Sequence, residues 1–175
     1  MSQYLVLTAM GSDRTGCVSE LTKLASECGC NISDSRMAIF GLEFTFIMLL
    51  NGDNRAINML EVRLPTVARS LDLITMMKRT SGHRKYDLVE HYQAECTGID
   101  QPGILKAITA FFSTRKIDIS SLKSERDLNT NEMSASISFA LTQKINISDI
   151  ENDFFQLCEQ ISIQGKITES THNHM

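Results

Sequence analysis

The chain has 175 residues, room for one domain or two small ones, and its 42% apolar and 22% charged residues are those of an ordinary water-soluble fold. A net charge of −4 argues against a surface built to displace counterions from DNA, and no apolar run approaches the roughly 20 residues of a membrane helix. The N-terminus, MSQYLVLTAM, has neither a basic n-region nor a cleavage-site pattern, so the sequence reads as that of a cytoplasmic protein.

The first element is the apolar run from Tyr4 to Met10, a strand that stops at Gly11-Ser12-Asp13-Arg14-Thr15-Gly16. A helix follows, because the apolar positions 17, 18, 21, 24, 25 and 28 keep the i, i+3, i+4, i+7 spacing of a half-buried face. Asn31 to Phe40 reads as a strand, Gly41 as a tight turn, and Leu42 to Leu50 as the returning strand. Asp53 is the candidate cap of a second helix that turns Ala56, Ile57, Leu60 and Leu64 inward, and Pro65 is expected to end or bend it. Leu71 to Lys78 is the last strand of this unit.

The same order then recurs. Slid by 87 positions, Asp13 falls on Asp100, Gly16 on Gly103, Leu21-Thr22 on Ile108-Thr109, and Asn31-Ile32-Ser33 on Asp118-Ile119-Ser120. Chance does not readily keep a helical stripe, its glycine and its exit residues in one register. The second copy predicts strands at Leu88–Thr97, Ile117–Arg126, Glu132–Leu141 and Lys166–Ser170. Its second helix is expected to be capped by Ser148, to turn Ile150, Phe154, Leu157, Cys158 and Ile161 inward, and to be closed by Gly165. The whole is β-α-β-β-α-β, twice: an α+β fold of two ferredoxin-like domains, residues 1–80 and 88–175, with a polar linker at 81–87. At about 80 residues each, the units are small enough to bury surface on one another.

The copies differ in their central strands. Met133, Ala135, Ile137, Phe139 and Leu141 alternate with Ser134, Ser136 and Ser138, which predicts one wet face. Phe44 to Leu50 and Tyr4 to Leu7 are apolar on both faces, so the first sheet needs a cover from a partner domain or a second chain. Most of Met10, Met37, Met48, Met76 and Met77 are expected in the core.

The Asp-x-x-Gly turn admits two readings. A helix opening offers free N–H donors and a positive dipole end to a carboxylate, and Asp13 or Asp100 would meet an ammonium; a free amino acid carries both charges. Alternatively, Asp13 caps the helix and Gly16 permits close packing. Neither a G-x-G-x-x-G nor a Walker pattern is present, so a nucleotide site is not supported.

With DRTG and DQPG at the two turns, the chain resembles a tandem pair of ACT domains, regulatory modules that commonly bind amino acids. CGCNISDSRMAIFGLEFTFIMLL and LDLITMMKRT, both in the first copy, resemble the glycine cleavage system transcriptional repressor family. The resemblance implies a regulator without a DNA-binding domain, which represses the operon for glycine breakdown through a DNA-bound activator protein and is relieved by glycine. It also implies, position by position, ligand loops at Asp13, Arg14, Thr15 and Gly16 with Asn31 and Ile32, and at Asp100, Gln101 and Gly103 with Asp118 and Ile119. Thr15 stands where such turns often carry proline, and Asp118 stands where the first copy has Asn31. The implied partners are a small amino acid, glycine first, the activator, the other domain and a possible second copy, with no direct DNA contact, no membrane and no cofactor.

Catalysis is not expected. Cys17, Cys28, Cys30, Cys96 and Cys158 are odd in number and read as core thiols; Cys28 and Cys30 lack a second ligand pair at zinc spacing. His83 and His91 lie at or near the linker, His172 and His174 at the C-terminal end, and no nucleophile-elbow pattern occurs.

Overall fold

Alternation in the strands and 3.6-residue periodicity in the helices dictate the elements. A computed structural model describes residues 2–81, 89–142 and 145–170. The expected linker (all but Ser81), Leu88 at the expected start of the next strand, His83, His172 and His174 lie outside the described residues. The first unit runs β1 (Gln3–Ser12), α1 (Cys17–Glu27), β2 (Asn31–Phe40), β3 (Glu43–Gly52), α2 (Asn54–Ser70) and β4 (Ile74–Thr80). The second runs β5 (Val89–Ile99), α3 (Ile104–Thr114), β6 (Ile119–Arg126), β7 (Glu132–Thr142), α4 (Ile147–Gln160) and β8 (Gln164–Glu169). All strand pairs are antiparallel, in the orders β2-β3-β1-β4 and β6-β7-β5-β8, so the chain is the expected pair of ferredoxin-like units.

Each unit has its own core between one sheet face and two helices. In the first, Leu5, Leu7, Phe44, Met48 and Leu50 of the sheet meet Leu21 and Leu24 of α1 and Ile57, Leu60 and Leu64 of α2. In the second, rings dominate: Phe112 stands 4.9 Å from Phe139 and 5.2 Å from Phe111, and Phe111 stands 5.3 Å from Phe154. All five cysteines are free and buried, as expected of small core hydrophobes.

Asp53 caps α2 through a 2.7 Å bond from the Ala56 N–H. Four expectations need correction. Pro65 lies inside α2, which continues to Ser70. Asn146, not Ser148, caps α4, accepting from the Ser148 N–H at 3.1 Å. Met10, Met37 and Met76 are 41%, 54% and 69% exposed, so only Met48 and the half-buried Met77 serve the core.

The fourth correction is Gly165, which lies in β8 and does not close α4; the left-handed residue there is Ser162, with φ 57°. Each helix ends in the same way. A residue with positive φ (Gly29, Asp72, Lys116 or Ser162) lets the next N–H reach back to a carbonyl five residues earlier, as Ile163 does to Cys158 at 2.9 Å. Gly165 is glycine for space: a Cβ there would collide with Cys158 Sγ and stand 3.0 Å from Phe154. Gly165→Ala should therefore destabilise the protein by about 1–3 kcal/mol through overpacking. Ser162→Gly should stabilise it by about 0.5–1 kcal/mol through relief at positive φ. Chemical denaturation of the two variants checks both signs.

Candidate functional site

β1 and β5 deliver the two Asp-x-x-Gly turns to equivalent ends of their sheets. The Asp13 N–H donates to the Leu42 carbonyl at 3.0 Å, and the Asp100 N–H to the Asn131 carbonyl at 2.8 Å, so each turn is tied to the hairpin of the neighbouring strands. Gly16 (φ 99°) and Gly103 (φ 98°) are the residues from which α1 and α3 start. Their carbonyls accept the first helical bonds, from Glu20 and Ala107, both at 2.9 Å. No side chain caps either helix, so the expected alternative role of Asp13 as a cap is not realised. A Cβ on either glycine would meet nothing within 4 Å. Close packing is therefore not why glycine stands there; the backbone sign is, and the space beside it is open.

A second pair of glycines, Gly11 and Gly98, also lies 87 positions apart, a repeat that was legible and passed over. A Cβ would stand 2.7 Å from Leu73 on Gly11 and 2.8 Å from Ile163 on Gly98. These glycines let the connection after α2 or α4 lie against the strand end, where it forms one wall beside the turn.

The two turns are furnished differently. Arg14 donates to the Leu71 carbonyl and so bridges from the turn to the end of α2. Gln101, at the matching position, leaves a hollow of about 270 Å³ between Gln101, Pro102, Gly103 and Ile104 on one side and Gln160, Ile161 and Ser162 on the other. Asp100 is paired with Arg126 at 3.4 Å, and Arg126 also donates to Asn131 Oδ1 at 2.6 Å. Asp13 is exposed and has no side-chain bond or ion pair among the described residues. A wider open groove of about 1100 Å³ runs past Arg126 between Thr97, Ser134 and Gln164, and shares Ser162 with the hollow.

Asn31 and Ile32 are not near Asp13. They begin β2 opposite Asn51 and Leu50, at the end of the sheet where β1 starts with Gln3 and Tyr4. Nine residues of strand separate that level from Asp13, roughly 30 Å. Asp118 lies just before β6, and Ile119 begins it at the level of Phe139 and Tyr92, likewise far from Asp100. The repeated serines after these pairs have a structural reason: the register shifts between Ile32 and Asp34, and again between Ile119 and Ser121, so Ser33 and Ser120 form matching bulges.

Residues 3–78 match the model of the ACT domain. A relative from Escherichia coli (strain K12), the glycine cleavage system transcriptional repressor, is 38% identical over 168 residues, covering 94% of this chain and 88% of its own length. The Shigella flexneri protein of that name matches equally. The chain belongs to the glycine cleavage system transcriptional repressor family. A crystal structure of a candidate glycine cleavage system transcriptional repressor superposes with a TM-score of 0.77 at 35% identity, covering 98% of this chain and 99% of that one. A Galdieria sulphuraria protein of unknown role shares the fold, with a TM-score of 0.76 at 21% identity over 98% of this chain and 100% of that one. Membership of this family supports a regulatory rather than a catalytic role.

Because Gly16 is glycine for its backbone sign, Gly16→Ala should cost the first unit about 1 kcal/mol without a steric clash. Gly16→Asn should cost less, since asparagine tolerates the left-handed region. Urea denaturation of both, with Gly103→Ala as the second-unit counterpart, measures this.

Proposed function

We propose that the protein is an amino-acid-responsive repressor of the genes for glycine breakdown, acting through a DNA-bound activator protein and not by binding DNA itself. The observation that carries the reading is 38% identity over 94% of the chain to a curated repressor of that system. The acidic balance agrees with it, since −4 gives little electrostatic purchase on a phosphate backbone.

The proposed ligand is a small amino acid, glycine first. Its carboxylate is placed at the uncapped openings of α1 and α3, against N–H groups that have no intrahelical acceptor. Asp13, Arg14, Thr15 and Gly16 form the first turn, and Asp100, Gln101 and Gly103 the second. Asn31, Ile32, Asp118 and Ile119 are the second part of the proposed ligand set, held apart from the turns. One glycine spans only a few ångströms, and the loops of one domain stand roughly 30 Å apart. A glycine bound at the turn of a domain therefore does not touch the strand start of that domain.

Calorimetric titration with glycine and a thermal scan at millimolar glycine test the ligand. Binding at 100 times the dissociation constant should add about 2.7 kcal/mol to stability. Asp13→Ala should weaken binding at the first turn, and Asn31→Ala should leave binding at that turn unchanged. No heat and no shift in melting temperature would remove the ligand role from both turns. For the regulatory route, the purified chain alone should leave operator DNA unshifted at physiological salt and should alter the shift given by the activator. A sequence-specific shift by the chain alone would overturn it.

A further inference from the structure

The sheet β2-β3-β1-β4 has an outer face that α1 and α2 do not cover. Register arranges its side chains in rows across the strands. One row reads Asp34, Leu49, Val6, Lys78; the next, Arg36, Ile47, Thr8, Met76; the third, Ala38, Thr45, Met10, Ile74. Ile47 is 45% exposed and Ile74 70%, and with Met10 and Met76 they form one contiguous apolar field. The matching face of the second sheet carries Ser134, Ser136 and Ser138, with Lys123 paired to Glu125 and Lys166 to Glu95, each at 2.9 Å. That face is made for water, so an apolar outer face is not a general demand of the fold.

We propose that the outer face of the first sheet is a homodimer interface, covered by the same face of a second copy across a two-fold axis running along the strands. An isologous contact needs a surface that complements itself. This axis lays β2 over the partner's β4 and β3 over the partner's β1, level by level. The row Asp34, Leu49, Val6, Lys78 then meets its own reverse. Asp34 faces the partner's Lys78, Leu49 faces the partner's Val6, and both contacts occur twice. In the rows beside it Ile47 covers the partner's Thr8, and Thr45 the partner's Met10. An axis across the strands would instead set β2 on β2 and lose the acid-to-base match. Asp34 also has Arg36 at 3.8 Å, and a carboxylate has acceptor positions for both cations.

The area suits such a contact. Four strands by about seven residues span roughly 19 by 23 Å, or about 440 Å² in plan on each copy. Side-chain relief raises the pair towards the ~1,200 Å² at which stable specific interfaces begin. The flexible, polarizable side chains of Met10 and Met76 suit a surface that must pack against itself without a fixed jigsaw. An interface of this size sits at the small end of specific contacts and suits a reversible dimer.

Sedimentation equilibrium of the full chain, from about 1 to about 200 µM, tests it. Asp34→Lys sets lysine against lysine and Lys78→Asp sets aspartate against aspartate, twice in each dimer. Each should raise the dimer dissociation constant roughly tenfold. The double variant reverses both ends of the row and should restore the wild-type value. Lys78 is exposed and Asp34 half-buried, and circular dichroism and melting temperature check that the fold is kept. Ile47→Asp should weaken the dimer with the charge pairs intact. A wild-type chain that stays monomeric throughout overturns the proposal and leaves the face to another occupant, the chain's second unit or a different protein. A dimer indifferent to the single charge reversals, or not restored by the double one, overturns it as well.

Discussion

A sheet has two faces, and a βαββαβ unit has helices for only one of them. Everything distinctive in this chain follows from how its two copies meet that constraint. Successive side chains point to opposite faces, so any strand contributes half its residues to the helix side without choice. The second copy makes the other half polar: Ser134, Ser136 and Ser138 alternate with the buried Met133, Ala135, Ile137 and Phe139. The first copy does not, and Ile47, Leu49, Val6, Met10, Ile74 and Met76 share its outer face. The difference is chemical and not topological, because strand order and bulge position are the same in both.

A second constraint is backbone handedness. Six described chain reversals pass through residues with positive φ next to a helix end or start: Gly16, Gly29, Asp72, Gly103, Lys116 and Ser162. At the starts of α1 and α3 the chain uses glycine. At three of the four helix ends it uses a residue with a Cβ and accepts roughly 1 kcal/mol of local cost. The asymmetry follows from what surrounds each position. A helix end is clamped by a reverse N–H bond, as Leu73 to Ala68 and Ile117 to Phe112, and that bond holds the residue in place whatever its side chain. The starts of α1 and α3 have no side-chain cap bond and stand at φ 99° and 98°, where glycine is favoured most strongly, far beyond the 55–57° of Asp72, Lys116 and Ser162.

That asymmetry governs how much could be read from sequence. The repeat, the order of elements, the inward positions 17, 21, 24 and 25 and the Asp53 cap were legible, because hydrophobic period and cap chemistry are local signals. Gly165 was misread because its requirement comes from Cys158 and Phe154 across the core, which no local pattern reveals. Met10 and Met76 were misread because methionine fits a core and an exposed apolar face equally well. Pro65 does not end α2, because an exposed helix position with tertiary support tolerates it. Of the candidate site, the turns and their glycines were legible. The separation of Asn31 from Asp13 needed only strand direction: both lie beside α1 in sequence, but α1 carries the chain the length of the sheet before β2 begins.

The two copies therefore share a frame and divide what is built on it. In the first, Arg14 ties the turn to Leu71, Asp13 keeps its carboxylate unpaired among the described residues, and the sheet presents an apolar field. In the second, Gln101 leaves a hollow beside the helix opening, Arg126 holds Asp100, and the sheet turns a serine face to water beside a core of packed aromatic rings. A regulator built from two copies of one unit can carry surfaces of both kinds. Duplication supplies them without asking one sheet to be wet and dry at once. Each copy keeps what its fold cannot lose, the left-handed glycine at the helix start and the strand glycine beneath the returning loop. Everything outside those positions was free to diverge, and the divergence runs along the one face that no helix covers.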